Sequence, residues 1–392
     1  MIALDLSRLL SRAHSATPSG IDRVELAYAR HLIAGARTYC FAARAATGWI
    51  GLLPREAASE FIARLTTMWR DGAAEQERRE IASLARRLRL AAITGGMALR
   101  RKLREVGGPT VYMLVSHQNL DRPYPIARLK TATGARLVVL IHDLIPLDFP
   151  HLTRPGQTRR HRRRIGAVAR LADAVIANSA STAGALSARL GCRKIPIAVA
   201  PLGIDLPGDD DTPPPVDAPY FVCIGTIEAR KNQSLLLDIW APLRAELGVQ
   251  TPRLVLVGQR GFGSMPIVSR LAGLRDVVTE HPDLPDQAMA RLLRGARALL
   301  LPSFAEGFGL PVAEALALGV PVLCSDLPAL RETGGDCPDY LDPGDHHAWR
   351  RTIFDYAIDT PRQRAQLARI VDWRAPRWGD HFAIAERLIA AL

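Results

Sequence analysis

Aromatic residues make up only 6% of the 392 residues, and none interleaves the arginine runs of the chain. Single-stranded nucleic acid is held by such interleaved stacking platforms, so a nucleic-acid partner is not expected. Cysteine is scarce as well. Cys40, Cys192, Cys223, Cys324 and Cys337 are scattered, odd in number and without a CxxC pair. That argues against disulfides and against a zinc site, and leaves them as reduced packing residues. No apolar run approaches the length of a membrane span, because charge or glycine breaks the longest ones. The opening Met1-Ile2-Ala3-Leu4-Asp5 lacks a signal-peptide pattern, which makes the cytoplasm the expected compartment. Carboxylates and imidazoles do not cluster at metal-ligand spacing, and Asp209 to Asp211 lie among prolines as a solvated run. Internal repeats and low-complexity segments are missing too.

What is present is enough chain for two α/β cores of roughly 200 residues each. Short apolar runs alternate with helical patterns, the mark of parallel, doubly wound sheets. The strands expected in the first half are Ile2 to Leu6, Tyr39 to Ala43, Val111 to Ser116, Leu137 to His142, Ala174 to Asn178 and Ile195 to Ala200. Thr17-Pro18-Ser19-Gly20 forms a turn into a helix over Ile21 to Ala34, which places Gly20 at a helix start. After Pro201-Leu202-Gly203-Ile204-Asp205 comes a Pro- and Asp-rich stretch suited to a linker. The division is therefore residues 1–205, a linker over 206–219, a second domain over 220–372 and a closing helical segment over 373–392. Expected strands of the second domain are Tyr220 to Ile224, Leu254 to Gly258, Val277 to Glu280 and Val320 to Ser325, with Ala298 to Pro302 as a buried block.

The most informative stretch is Glu306-Gly307-Phe308-Gly309-Leu310-Pro311-Val312-Ala313-Glu314. It follows the apolar block at 298–302 and opens a helix for which Pro311 suits the first turn and Gly319 the cap. Amides at Gly307, Phe308, Gly309 and Leu310, with the positive end of the helix dipole, suit a diphosphate. Glu314, one turn inside, can accept hydrogen bonds from ribose hydroxyls, and Glu306 can reach a sugar beyond the phosphates. A second anion site is offered by Gly225-Thr226-Ile227-Glu228-Ala229-Arg230-Lys231-Asn232, where adjacent cations precede a helix from Ser234. In the first domain His142-Asp143 stands at the carboxyl end of a buried strand, where open α/β sheets place their ligands. Asn178-Ser179-Ala180-Ser181-Thr182 reads as a helix cap.

These motifs resemble those of the family 4 glycosyltransferases, which have the GT-B fold. The Glu306-to-Glu314 spacing is similar to the family's Glu-x7-Glu signature, and His142-Asp143-Leu144-Ile145-Pro146 to its histidine motif. The likeness is strongest over Tyr220 to Pro343 and weakest over Ala45 to Arg136. It implies two Rossmann-like domains facing a cleft, with the closing helix crossing back to the first domain. It further implies a retaining transfer of a hexose, such as mannose, from a nucleoside diphosphate sugar to a saccharide or lipid-linked saccharide in bacterial surface-glycan synthesis. No metal and no cofactor beyond the donor are implied. His142, Arg230, Lys231 and Glu306 carry over as catalytic residues, and Gly20, Gly307, Phe308, Gly309, Leu310 and Glu314 as donor-binding ones. Two departures stand out. Thr226 replaces a phosphate-binding arginine, and His281-Pro282-Asp283-Leu284-Pro285 replaces the glycine turn near the nucleobase.

The net charge of +12 concentrates in Arg86 to Arg104 and in Arg154 to Arg164, which holds six arginines in eleven residues. Both suit an anionic membrane surface at the inner face of the cytoplasmic membrane, or a merely solvated face. Rival readings are a sugar-nucleotide epimerase or phosphorylase on the same fold, and a polyanion- or membrane-binding protein with an inactive cleft.

Overall fold

The structure, a computed structural model, describes residues 1–191, 193–208, 212, 216 and 219–392. Cys192, Asp209 to Asp211 and much of the expected linker lie outside the described residues. The chain forms two compact units. Unit 1 comprises Met1–Leu147, Gly156–Leu202 and Trp378–Leu392, and unit 2 comprises Asp148–Pro155 and Gly203–Arg377.

Unit 1 is built on β1 (Ile2–Asp5), β2 (Tyr39–Arg44), β3 (Ile50–Leu52), β4 (Val111–Leu114), β5 (Arg136–Ile141), β6 (Ala174–Ala177) and β7 (Ile197–Val199). Their order in the sheet is β3-β2-β1-β4-β5-β6-β7, and all pairs are parallel except β2 with β3. Helices cover both faces of a parallel sheet, which is why Leu137 to Ile141 is an unbroken apolar run and is buried throughout. The chain leaves β7 for unit 2 and returns as the helix Trp378–Ala390. There Phe382 stacks on His31 with ring centroids 3.8 Å apart, and His381 meets the Tyr28 hydroxyl at 2.8 Å.

Unit 2 is built on β8 (Tyr220–Ile224), β9 (Arg253–Val257), β10 (Val278–His281), β11 (Leu299–Leu301), β12 (Val322–Ser325) and β13 (Asp339–Leu341), an all-parallel sheet in the order β10-β9-β8-β11-β12-β13. One apolar cluster, with Trp240, Trp349 and Tyr356, packs around one part of the sheet, and a second, with Val312, Leu316 and Leu330, around another.

The structure departs from the sequence expectation mainly at strand ends and in the first half. β7 starts only at Ile197, after Pro196, which has no N–H to give to a ladder. The three-residue strands β3 and β13 carry too short a pattern to be read. β3 is nonetheless tightly held: a Cβ on Gly51 would lie 2.0 Å from the Ala92 carbonyl oxygen, so only glycine admits the helix Glu75–Thr94 at that distance. Between β1 and the turn at Thr17 to Gly20 the chain forms a short helix, Ser7–Arg12, that the sequence pattern did not announce. Cys40, Cys223, Cys324 and Cys337 are buried free thiols.

Candidate active site

A doubly wound sheet places its ligand crevice at the carboxyl ends of the two strands where the winding reverses. In unit 2 those strands are β8 and β11, followed by residues 225–232 and 302–309. The first loop depends on a pair of glycines. Gly225 has φ +138° and Gly258, after β9, has φ +147°, and a Cβ on Gly258 would stand 2.2 Å from the Gly225 carbonyl oxygen. A Cβ on Gly225 would meet Lys231 Cε at 3.1 Å, so the lysine stem runs across the bare glycine backbone.

That path delivers Lys231 Nζ to Glu306 Oε1 at 2.6 Å. Ser303 Oγ donates to the same oxygen at 2.6 Å, and Arg230 Nη1 reaches Glu306 Oε2 at 3.4 Å. Burial would raise the Glu306 pKa, but the charges of Lys231 and Arg230, with the hydrogen bonds from Lys231 and Ser303, outweigh it and hold the carboxyl at about 2. Glu306 is therefore ionised at every working pH and is no proton donor. Arg230 is committed elsewhere as well. Its guanidinium donates to the Ala305 carbonyl at 2.7 Å and to Glu228 Oε1 at 2.8 Å, which ties the two loops together. Lys231 differs. An ammonium has three N–H donors, and Glu306 is its one acceptor among the described residues.

The second loop ends at Gly309, with φ +97°, which caps the helix Leu310–Ala317. A side chain there would be strained by the dihedral and would also meet Leu330 Cδ2 at 2.5 Å. Val312 and Ala313 donate to the Gly309 carbonyl, while the amides of Gly309 and Leu310 precede any intrahelical acceptor. Phe308 is buried, and its carbonyl accepts from Thr333 Oγ1 at 2.6 Å. Glu314 lies half-buried one turn into the helix. In the segment that replaces the glycine turn, Asp283 accepts from Gln259 Nε2 at 3.0 Å.

In unit 1 the winding reverses between β1 and β4. His142, at the end of β5, is buried. Its Nε2 donates to the Val115 carbonyl at 2.8 Å, and its amide donates to His117 Nε2 at 3.2 Å. Burial lowers its pKa to about 4, so the imidazole is neutral at physiological pH. Asn178 Nδ2 holds the His142 carbonyl at 2.9 Å, and Ser179 caps the helix Ala180–Ser187. Gly20 is exposed at the first position of the helix Gly20–Ala34, where Ser19 and Asp22 form a reciprocal capping box. Arg8 and Arg12 pair with the buried Asp22 at 2.6 and 3.2 Å.

Sequence reasoning missed an acidic cluster beside this switch point. Asp5 accepts from the Tyr112 hydroxyl and from the Ser7 amide, and Glu25 accepts from the Leu9 amide at 2.9 Å. Both carboxyls are buried, and burial raises both pKa values, that of Glu25 to about 8. The signal was a glutamate on the apolar face of an amphipathic helix, in register with Tyr28 and Leu32. In unit 2 the helpers overlooked were Glu228 and Ser303.

A model described as glycosyl transferases group 1 matches residues 218–356, and one described as glycosyltransferase family 4 matches residues 61–207. The chain belongs to the family 4-like glycosyltransferases. Among relatives of the family, the O-antigen chain mannosyltransferase B of Escherichia coli is 39% identical over 154 residues, covering 38% of this chain and 40% of its own. A D-inositol 3-phosphate glycosyltransferase of Streptomyces scabiei is 30% identical over 269 residues, covering 63% of this chain and 60% of its own. The chain thus spans less than two thirds of the length of these relatives. Solved structures match over its whole length. HepE of Anabaena, in complex with UDP and glucose, has a TM-score of 0.67 at 18% identity and covers 100% of both chains. A sucrose-phosphate synthase of Thermosynechococcus elongatus has a TM-score of 0.65 at 17% identity, covering 100% of this chain and 99% of its own. At these identities the likeness is one of fold, the GT-B fold.

Proposed function

We propose that the protein is a retaining hexosyltransferase that moves a hexose, mannose first among the candidates, from a nucleoside diphosphate sugar to a saccharide or lipid-linked saccharide acceptor in bacterial surface-glycan synthesis. The observation that carries this reading is the ionised Glu306 clamped by Lys231 and Arg230 beside the Gly309-capped helix start. Likeness to the Escherichia coli mannosyltransferase supports mannose.

Each residue has a proposed task. The further N–H donors of Lys231 and the amides at 307–310 take the diphosphate and offset the charge that develops as it leaves. Glu314 accepts from the ribose. Glu306, held rigid by three donors, accepts from the sugar hydroxyls, while Arg230 keeps the two loops in register. On unit 1, Gly20 and the neutral His142 are proposed for the donor and sugar. The bond between the anomeric carbon and the diphosphate breaks, the acceptor oxygen bonds on the same face, and its proton passes to the departing phosphate. Cations and amides carry the charge, so catalysis is proposed to be metal-independent, and EDTA should leave initial rates unchanged. The basic segments Arg86 to Arg104 and Arg154 to Arg164 are proposed to meet an anionic membrane surface, although Arg160 in the second already pairs with Asp121 at 3.1 Å. No helix of the described residues is long and apolar enough to cross a membrane.

The test is a thermal-shift screen of nucleotide sugars, followed by assay of the best binder with and without acceptor. A ligand at a hundredfold its dissociation constant stabilises by about 2.7 kcal/mol. Glycoside formed only with acceptor, with the donor's anomeric configuration, supports the reading. Epimerised donor, or turnover that requires phosphate, overturns it.

A further inference from the structure

Among the described residues only one tryptophan and one tyrosine are left exposed, Trp49 at 36% and Tyr124 at 65%. The fold of unit 1 puts these two side by side. Trp49 ends the turn between β2 and β3, where its carbonyl accepts from the Ala45 amide at 2.8 Å, and Tyr124 opens the helix Tyr124–Thr133 that follows β4. Their ring centroids lie 6.4 Å apart, with the planes tilted by 52°. One turn further along that helix, Arg128 sets its guanidinium carbon 4.5 Å from the Trp49 ring centroid and 5.9 Å from that of Tyr124, so a single cation backs both rings. Both rings stand on the carboxyl edge of the sheet, the edge at which an open α/β sheet takes its ligands. The Arg44 amide donates to Ser7 Oγ at 2.8 Å and its guanidinium to the Arg122 carbonyl at 3.3 Å, which seats the turn on the end of β1 and on the loop before the helix.

We propose that Trp49 and Tyr124 form a stacking platform for a distal sugar of an oligosaccharide acceptor. A pyranose offers an apolar face of C–H groups and a rim of hydroxyls. The slightly positive C–H face meets the negative faces of the rings, and hydroxyls of the rim accept from the Arg128 guanidinium. A phosphate would gain nothing from either ring. Four strand steps separate β3 from β5, at whose end His142 stands, and at about 4.8 Å per step the platform lies roughly 15–20 Å from that histidine. A sugar stacked there is several units from the reacting end, so the platform makes affinity grow with acceptor length. The proposal rests on the saccharide acceptor of the preceding section and specifies, within that reading, a chain that is already several sugars long.

The full-length chain is titrated calorimetrically with mannobiose and with mannohexaose, in the absence of donor. Mannohexaose should bind the more tightly, because only the longer probe reaches the rings. Trp49→Ala and Tyr124→Ala should each lower its affinity about three- to tenfold, the worth of one ring contact, and Trp49→Phe should restore most of the loss. Indole fluorescence should shift when mannohexaose binds the wild type, and Trp49→Phe should abolish the shift while it keeps the affinity. Both positions are exposed, and melting temperatures should match the wild type. If Trp49→Ala melts early, Tyr124→Ala, at the more exposed position, carries the test. Equal affinity for the two probes, or no binding of mannohexaose, overturns the proposal. So does mannohexaose affinity that survives both alanine variants. No donor is present in these titrations, so their failure leaves the nucleotide-sugar screen standing, and failure of that screen leaves the platform standing.

Discussion

Lys231 and Glu306 lie 75 residues apart in sequence, yet the ammonium stands 2.6 Å from the carboxylate. The contact joins the loop after β8 to the loop after β11, so the cation that would meet a diphosphate is aimed by the carboxylate that would meet the sugar. Lys231→Ala should reduce turnover by roughly two orders of magnitude or more, because losing one preorganised stabiliser of developing charge costs about 2.7–4 kcal/mol. It should also lower stability, because it strands a buried carboxylate with a weaker partner. A sugar-transfer assay on folded protein decides it, and wild-type turnover would refute the role.

The two glutamates should separate by ligand. Glu314→Gln should weaken the donor and the free nucleoside diphosphate alike, through the ribose. Glu306→Gln removes the counter-charge from Lys231 and Arg230, so it should leave diphosphate affinity undiminished while cutting turnover. Titration calorimetry with the nucleoside diphosphate alone is the measurement. Equal loss of affinity in both variants contradicts the division.

Glu25 sets a pH dependence of stability. Its folded pKa, about 8, lies above the ordinary carboxyl value because the group is buried, so its neutral form is the one that folding tolerates. Its contribution is complete below about pH 4.5 and is lost as pH rises through about 8. Glu25→Gln, which cannot ionise, should melt above the wild type at pH 9 and close to it at pH 5. A gain of about 2–4 °C accompanies each kcal/mol recovered. Parallel melting curves across that range would exclude a buried neutral carboxyl.

Two glycines should differ in their tolerance of alanine. At Gly309 the obstacle is the far end of the Leu330 side chain, 2.5 Å from a Cβ, which can swing aside, leaving mainly the cost of the φ of +97°. At Gly258 the obstacle is backbone, the Gly225 carbonyl at 2.2 Å. Gly309→Ala should cost about 1–3 kcal/mol and Gly258→Ala more. Thermal melts that reverse the order would show that the β8 and β9 loops are not locked backbone to backbone.

The sheet strands of both units were largely legible, because parallel strands buried on both faces write themselves as runs such as Val138 to Ile141 and Leu299 to Leu301. The donor-side loops were legible too, since glycine, proline and charge punctuate them. The helices over residues 75–105 were only partly so: they pack against β3, a strand of three residues whose own pattern is below detection. The arrangement of charges was not legible at all. Composition places Arg230 and Lys231 side by side, but only the fold shows that the arginine is spent on Glu228 and Ala305 while the lysine crosses Gly225 to Glu306. The same holds for His142, whose imidazole turns to the Val115 carbonyl through a geometry that no spacing records.

The return of the helix Trp378–Ala390 to unit 1 has a consequence for biosynthesis. Tyr28 waits for His381, a partner 353 residues downstream, while every residue of unit 2 precedes position 378. On the ribosome, the half of the protein that begins first is therefore finished last. Unit 2 can close as soon as it emerges, whereas unit 1 leaves Tyr28 and His31 without their partners His381 and Phe382 until the helix Trp378–Ala390 is released. A nascent chain stalled before Trp378 would carry one completed unit and one that lacks its closing helix, the form that chaperones bind.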